Sequence, residues 1–193
     1  KYKKGNINKK IPAIFLDKDG VINKLNKNKN YQDINKFEVN ALKAIKIINE
    51  TGYLVIIVTN QPAIAKGIIT ENFFLKDVNK LSYKLSKYKA FFDKLYYCPH
   101  HPEKGFENEI KKLKFNCNCR KPRNGLFLKA IKNLNIDIQK SYVIGDQLSD
   151  YLASKKTNLK FIGVNNPKVF KNNKILYKKN LYVAVEYIFK KNF

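Results

Sequence analysis

Apolar runs alternating with helix-period segments predict an α/β fold, a three-layer α/β/α sandwich built on a mostly parallel sheet. Two observations carry this. The runs IPAIFLD (11–17), YLVIIVTN (53–60), SYVIGD (141–146) and LKFIGV (159–164) are short and almost wholly apolar, as strands buried on both faces must be. The segments between them carry apolar residues at helical spacing. Such alternation places helices on both faces of a sheet through right-handed crossovers. Ligands then gather beyond the carboxyl ends of the strands, where Asp17 and Asp19, Thr59 to Gln61 and Asp146 to Asp150 fall.

Element by element, IPAIFLD is the first strand, ending in acid. VNALKAIKIINETG sets Ala41, Ile45 and Ile48 near one helical face, with Gly52 as the stop. YLVIIVTN is the second strand. A helix over 70–88 starts at the N-cap Thr70 and repeats Phe74, Val78, Leu81 and Leu85. FFDKLYYC (91–98) is a strand, GLFLKAIKNL (125–134) a helix and SYVIGD a strand. A short helix then precedes LKFIGV. From Asn165 the chain reads as polar tail until LYVAVEYIFKK (181–191), an amphipathic helix. One domain over 1–193 is expected, without internal repeats.

The chain has 193 residues, of which 44% are hydrophobic, enough for one substantial core. No apolar run reaches the length of a membrane span, and KYKKGNINKK lacks a signal's apolar stretch, so a cytosolic protein without a membrane partner is expected. With no methionine anywhere, the first residues of the native chain are expected either to have been removed or to lie outside this sequence. Thirty-nine basic residues against 15 acidic give a net charge of +24. The lysines are scattered among asparagines and isoleucines, and arginine occurs only at Arg120 and Arg123. That distribution reads as a solvated lysine surface rather than a nucleic-acid face.

Every cysteine and histidine lies between Cys98 and Cys119. Three cysteines cannot all pair, and clustering with His100 and His101 does not resemble a disulfide framework. C-x-H followed by C-x-C supplies three thiolates and one imidazole, the Cys₃His set that closes a tetrahedral structural zinc site. In DKDG, Asp17 and Asp19 stand just past a strand, with Gly20 allowing a turn. Together with Asp146 they form either a hard oxygen site for Mg²⁺ or ordinary Asp-Gly turn chemistry.

FLDKDGVIN, VTNQPAIAKG, CPHH followed by CNCRKP, and SYVIGDQLSD occur in an order that resembles the haloacid dehalogenase superfamily. Within it, the chain resembles the small zinc-containing heptose bisphosphate phosphatases, over residues 11–164. The resemblance implies a Rossmann-like fold with a zinc-loop insertion at 98–119. No large cap domain is expected, since only forty positions separate Asp19 from Thr59.

By this resemblance Asp17 is the nucleophile and Asp19 the general acid and then base, while Thr59 and Lys121 contact the phosphoryl group. Asn60, Gln61 and Arg120 contact substrate. Mg²⁺ is held by Asp17, Asp146 and the backbone carbonyl of Asp19, with Asp150 in support. The zinc ligands are Cys98, His100, Cys117 and Cys119, His100 being preferred to His101 by the family's pattern. The implied activity removes the C7 phosphate of D-glycero-D-manno-heptose 1,7-bisphosphate through an aspartyl-phosphate, on the route to nucleotide-activated heptose for surface polysaccharide. A small phosphorylated sugar is the expected partner, and the protein is expected to act as a monomer.

Some positions depart from the family pattern. Pro62 and Ala63 replace Ser-Gly, Lys66 replaces Arg, Gln147 stands where a base is common, and the Cys98–Cys117 loop is longer. Histidinol-phosphate phosphatases share the zinc loop and are the nearest alternative. A zinc-dependent nucleic-acid module would leave Asp17, Asp19 and Asp146 unexplained.

Overall fold

The computed structural model describes residues 10–25 and 36–190. The described residues contain β1 (Ala13–Leu16), α1 (Ala41–Glu50), β2 (Leu54–Asn60), α2 (Pro62–Ala65), α3 (Glu71–Lys87) and β3 (Lys94–Cys98). After these come α4 (Gly125–Leu134), β4 (Tyr142–Gly145), α5 (Leu148–Lys155), β5 (Lys160–Val164), α6 (Pro167–Asn172), β6 (Tyr177–Lys178) and α7 (Leu181–Lys190). The strands form one sheet in the order β3-β2-β1-β4-β5-β6, and every pairing is parallel. The order reverses on either side of β1, so the crevice beyond β1 and β4 is the topological switch point where such sheets bind ligands.

The two-residue period of the strands sorts the core into two layers. Ile14, Leu16, Val55, Ile57 and Ile144 face α1 and α7, meeting Ile45, Ile48, Val185 and Ile188. Ala13, Phe15, Ile56, Val58 and Val143 face the other way, toward Leu126, Phe127 and Ala130 of α4 and Ala153 of α5. Thr70 caps α3 as expected, its side chain accepting from the Phe73 amide at 3.0 Å. Among the described residues, no helix is long and apolar enough to cross a membrane.

The structure departs from the sequence reading mainly after Asn165. The stretch read as polar tail holds α6 and the short strand β6, which pairs with β5 at Gly163 and Val164. Phe170 of α6 is fully buried, an anchor with too few apolar neighbours in sequence to show a period. Residue 191, the end of the expected last helix, lies outside the described residues.

Candidate active site

Strands β1, β2 and β4 all run toward one edge, so their C-terminal residues converge. The Asp17 amide donates to the Ile144 carbonyl of β4 at 3.1 Å, which carries the β1 pairing one residue past the strand. Asp17, Asp146 and Asp150 each place a carboxylate oxygen in one group within 4.8 Å. Lys121 enters from the segment between the cysteine loop and α4. Its ammonium lies 3.0 Å from Asp17 Oδ1 and 2.6 Å from Asp150 Oδ1, and it donates to the Val58 carbonyl at 2.9 Å.

Three acids face one ammonium here, and the protonation equilibria reflect the imbalance. Burial, opposed by Lys121 and reinforced by Asp150, Asp146 and Asp19, pushes the Asp17 carboxyl up to about 7. Burial likewise pushes Asp146 up to about 6, against a hydrogen bond from Gln147. For Lys121, burial favours the neutral amine, but Asp150 and Asp17 outweigh it and raise its pKa. Asp146 Oδ1 is buried with no hydrogen-bond partner, while its Oδ2 accepts from Gln147 Nε2 at 2.7 Å. Excess buried negative charge with an unengaged carboxylate oxygen fits a hard divalent cation.

Asp19 does not join this group through its side chain. Its Oδ2 accepts from Gln61 Nε2 at 2.8 Å, and its Oδ1 lies 3.1 Å from Lys18 Nζ. The side chain is 40% exposed and lines a cavity of about 190 Å³ together with Asn60, Gln61, Phe73, Phe74 and Asp77. The third carboxylate beside Asp17 and Asp146 is therefore Asp150, held by α5: its Oδ2 accepts from the Gln147 amide at 3.0 Å, the N-terminal capping contact of that helix.

Thr59 is buried at the end of β2, and its Oγ1 accepts from Gln61 Nε2 at 3.1 Å, which leaves the hydroxyl proton free to point at another acceptor. Asn60, expected to contact substrate, has its amide engaged elsewhere. Its Oδ1 accepts from the Lys121 amide and its Nδ2 donates to the Lys121 carbonyl, each at 3.0 Å. Sequence reasoning missed this latch because it joins positions sixty-one apart. It also missed Lys18 and Asp77 as partners, a buried ion pair at 2.9 Å.

At the end of β3, Cys98, His100, Cys117 and Cys119 form a second group. The sulfurs stand 3.1 to 3.5 Å apart, and His100 Nδ1 is 3.2 Å from Cys119 Sγ. His101 lies outside it, its Nε2 3.8 Å from Glu103. A zinc–sulfur bond of about 2.3 Å implies a tetrahedral edge of about 3.8 Å, so this donor set is close to the size a zinc ion needs. Burial raises the Cys98 thiol, whereas in Cys117 hydrogen bonds from Cys119 and Cys98 outweigh burial and lower it. Arg120 Nη1 donates to the His100 carbonyl at 3.4 Å, so Arg120 sits beside this group rather than among the three acids.

An all-parallel sheet presenting acids and a lysine beyond β1 and β4 fits a hydrolase of the haloacid dehalogenase type, and a HAD-hydrolase-like family profile matches residues 118–174. In fold, the chain resembles D,D-heptose 1,7-bisphosphate phosphatase from B. bronchiseptica, solved with magnesium and phosphate, at a TM-score of 0.81 and 22% identity. The likeness covers 94% of this chain and 99% of that one. Sequence likeness is stronger to the D-glycero-beta-D-manno-heptose-1,7-bisphosphate 7-phosphatase of Haemophilus ducreyi, 40% identical over 77% of this chain and 79% of that protein. The enzyme of the same name from Escherichia coli K12 is 36% identical over 78% and 77%. The chain belongs to this family of phosphomonoester hydrolases.

Proposed function

We propose that the protein removes the C7 phosphate of D-glycero-beta-D-manno-heptose 1,7-bisphosphate, with Asp17 as nucleophile and Asp19 as acid and then base. The observation that carries the reading is the Asp17 carboxylate at the end of β1, with Lys121 Nζ 3.0 Å from its Oδ1. The substrate follows the names of the relatives.

Asp17 attacks phosphorus as the sugar oxygen leaves. An alkoxide leaves poorly unless it gains a proton, and Asp19, on the rim of the cavity, supplies it. The phosphoryl group passes to Asp17, and Asp19 then takes a proton from the water that hydrolyses the aspartyl-phosphate. The Thr59 hydroxyl and the Lys121 ammonium donate to the phosphoryl oxygens, where charge gathers. Gln61 holds Thr59 as an acceptor, which directs the hydroxyl proton outward. Asp17 and Asp146 hold Mg²⁺, which when bound supplies the positive charge that lets an anionic nucleophile approach an anionic phosphate. Cys98, His100, Cys117 and Cys119 hold a structural Zn²⁺. Its place directly before Arg120 and Lys121 fixes the start of the segment that delivers the lysine.

Phosphate release from both anomers of the heptose bisphosphate, from histidinol phosphate and from simple sugar phosphates tests the reading. The beta anomer is expected to give the highest kcat/KM. A preference for histidinol phosphate would move the protein to another substrate while keeping its chemistry.

A further inference from the structure

Lys18 stands between the two acids of the first loop, yet its ammonium meets neither Asp17 nor solvent. The side chain is 3% exposed, and Nζ lies 3.1 Å from Asp19 Oδ1 and 2.9 Å from Asp77 Oδ2. Asp77 belongs to α3, whose Phe74, Val78, Leu81 and Leu85 are buried. A helix packed by its apolar face therefore reaches Asp19 through one buried lysine. The other oxygen of Asp19 is held by Gln61 from the end of β2. Each oxygen of a 40% exposed carboxylate thus has its own donor, one fixed by the sheet and one by α3.

A buried ion pair is weak evidence for stability, because desolvation offsets much of the attraction. Orientation is where this pair has an effect. A proton donor works only within about 2.6–3.2 Å of the atom it serves, and an exposed aspartate tethered at one oxygen samples several rotamers. Asp77 and Asp19 also line the same cavity, so the tether stands beside the space where a leaving group would sit.

We infer that Asp77 is a positioning residue for Asp19, acting through the Lys18 ammonium, an inference that rests on the reading of Asp19 as the acid that protonates the leaving group. Without Asp77, Lys18 is no longer anchored from α3, and the donor on Asp19 Oδ1 becomes mobile. Phosphoryl transfer then suffers most where the leaving oxygen most needs a proton.

The test compares kcat/KM, which reports steps up to the first irreversible one, for p-nitrophenyl phosphate, phenyl phosphate and the heptose bisphosphate. The first two differ little in shape but much in leaving-group basicity. The variants are Asp77→Leu, Asp77→Glu, Lys18→Met/Asp77→Leu and Asp19→Asn. Removing both members of the pair avoids a buried unpaired charge, so the double variant guards against simple misfolding.

Asp77→Leu and the double variant are expected to lose about tenfold or more on the heptose bisphosphate, about threefold or less on p-nitrophenyl phosphate and an intermediate factor on phenyl phosphate. Asp77→Glu should recover part of the loss. Equal losses on all three substrates, or a double variant restored to normal, would overturn the inference while a selective Asp19→Asn upheld the role of Asp19. An Asp19→Asn variant with no leaving-group selectivity would overturn both.

Discussion

The Lys121 ammonium lies 2.6 Å from Asp150 Oδ1, nearer than its 3.0 Å to Asp17 Oδ1. Asp150 is itself fixed at the start of α5, so the lysine is anchored by one acid and presented to Asp17, the acid proposed as nucleophile. That division of labour predicts that Lys121→Met lowers kcat/KM by about a hundredfold or more, the usual loss for a preorganised donor to developing charge. It also leaves Asp17 and Asp150 buried without a cation, at a cost of about 3–5 kcal/mol. The carboxylates can escape that cost by protonation, so urea unfolding should show a smaller loss at low pH than at high pH.

Asp17→Asn is expected to abolish steady-state turnover while the protein keeps its fold, since an amide cannot form the acyl-phosphate. Asp19→Asn should instead slow both half-reactions, and rapid acid quench after radiolabelled substrate should show phosphoenzyme persisting longer than in the unaltered protein. Normal turnover by Asp17→Asn would remove the nucleophile assignment.

If magnesium sits on Asp17 and Asp146 as proposed, their raised carboxyls set the pH dependence of its binding. In the metal-free folded protein they hold protons that the unfolded chain has already released, because they titrate near about 7 and about 6. Their contribution to stability is therefore complete only below the ordinary carboxylate range and is lost as pH rises through those values. Magnesium competes with the same protons, so its stabilising effect runs the opposite way. The rise in Tm on adding Mg²⁺ should be small near about pH 5 and grow up to about pH 8. A magnesium effect that did not change with pH would contradict the placement of the ion on these two acids.

Gly20 has φ of +86° and packs directly against the Asp146 carboxylate, which a Cβ would strike. Gly20→Ala combines a left-handed backbone, costing about 1–2 kcal/mol, with displacement of Asp146. The expected outcome is weaker Mg²⁺ binding by calorimetry together with a lower Tm. A loss of stability with unchanged magnesium affinity would show that only the turn needed glycine.

Much of the fold was legible because the strands are nearly pure apolar runs and the main helices repeat at their own period. Phe74, Val78, Leu81 and Leu85 are all buried on α3, and α4 spans the residues read for it. What escaped depends on tertiary contact. β6 has two residues and exists by pairing with β5, and α6 lies in a lysine- and asparagine-rich stretch anchored by Phe170. At the site, the motif residues could be named, but their partners could not. The bond from Asn60 to Lys121 and the ion pair from Lys18 to Asp77 each cross fifty-nine or more positions, and no local pattern marks which asparagine or aspartate will be the one in reach.

The cysteine group can be separated from the chemistry because Lys121 has two supports. Asn60 holds both polar groups of its backbone from β2, while Cys119 ties the chain two residues earlier to Cys98, His100 and Cys117. Protein prepared without added zinc is expected to carry about one tightly held Zn²⁺ per chain, as a closed Cys₃His site implies. Cys117→Ser should lose that metal, lower the Tm and impair turnover, and excess Mg²⁺ should not restore it, because magnesium prefers oxygen and does not replace zinc among thiolates. Arg120→Ala should keep its zinc and lose only substrate handling. Asn60→Ala should also keep its zinc, yet reduce kcat, since the lysine backbone would be held from one side alone. Combining Asn60→Ala with Cys117→Ser should then cost more than the sum of the two single losses, as expected when each support partly compensates for the other. Strict additivity, measured as a double-mutant cycle on kcat/KM, would mean that the metal group and Asn60 do not act on Lys121 together.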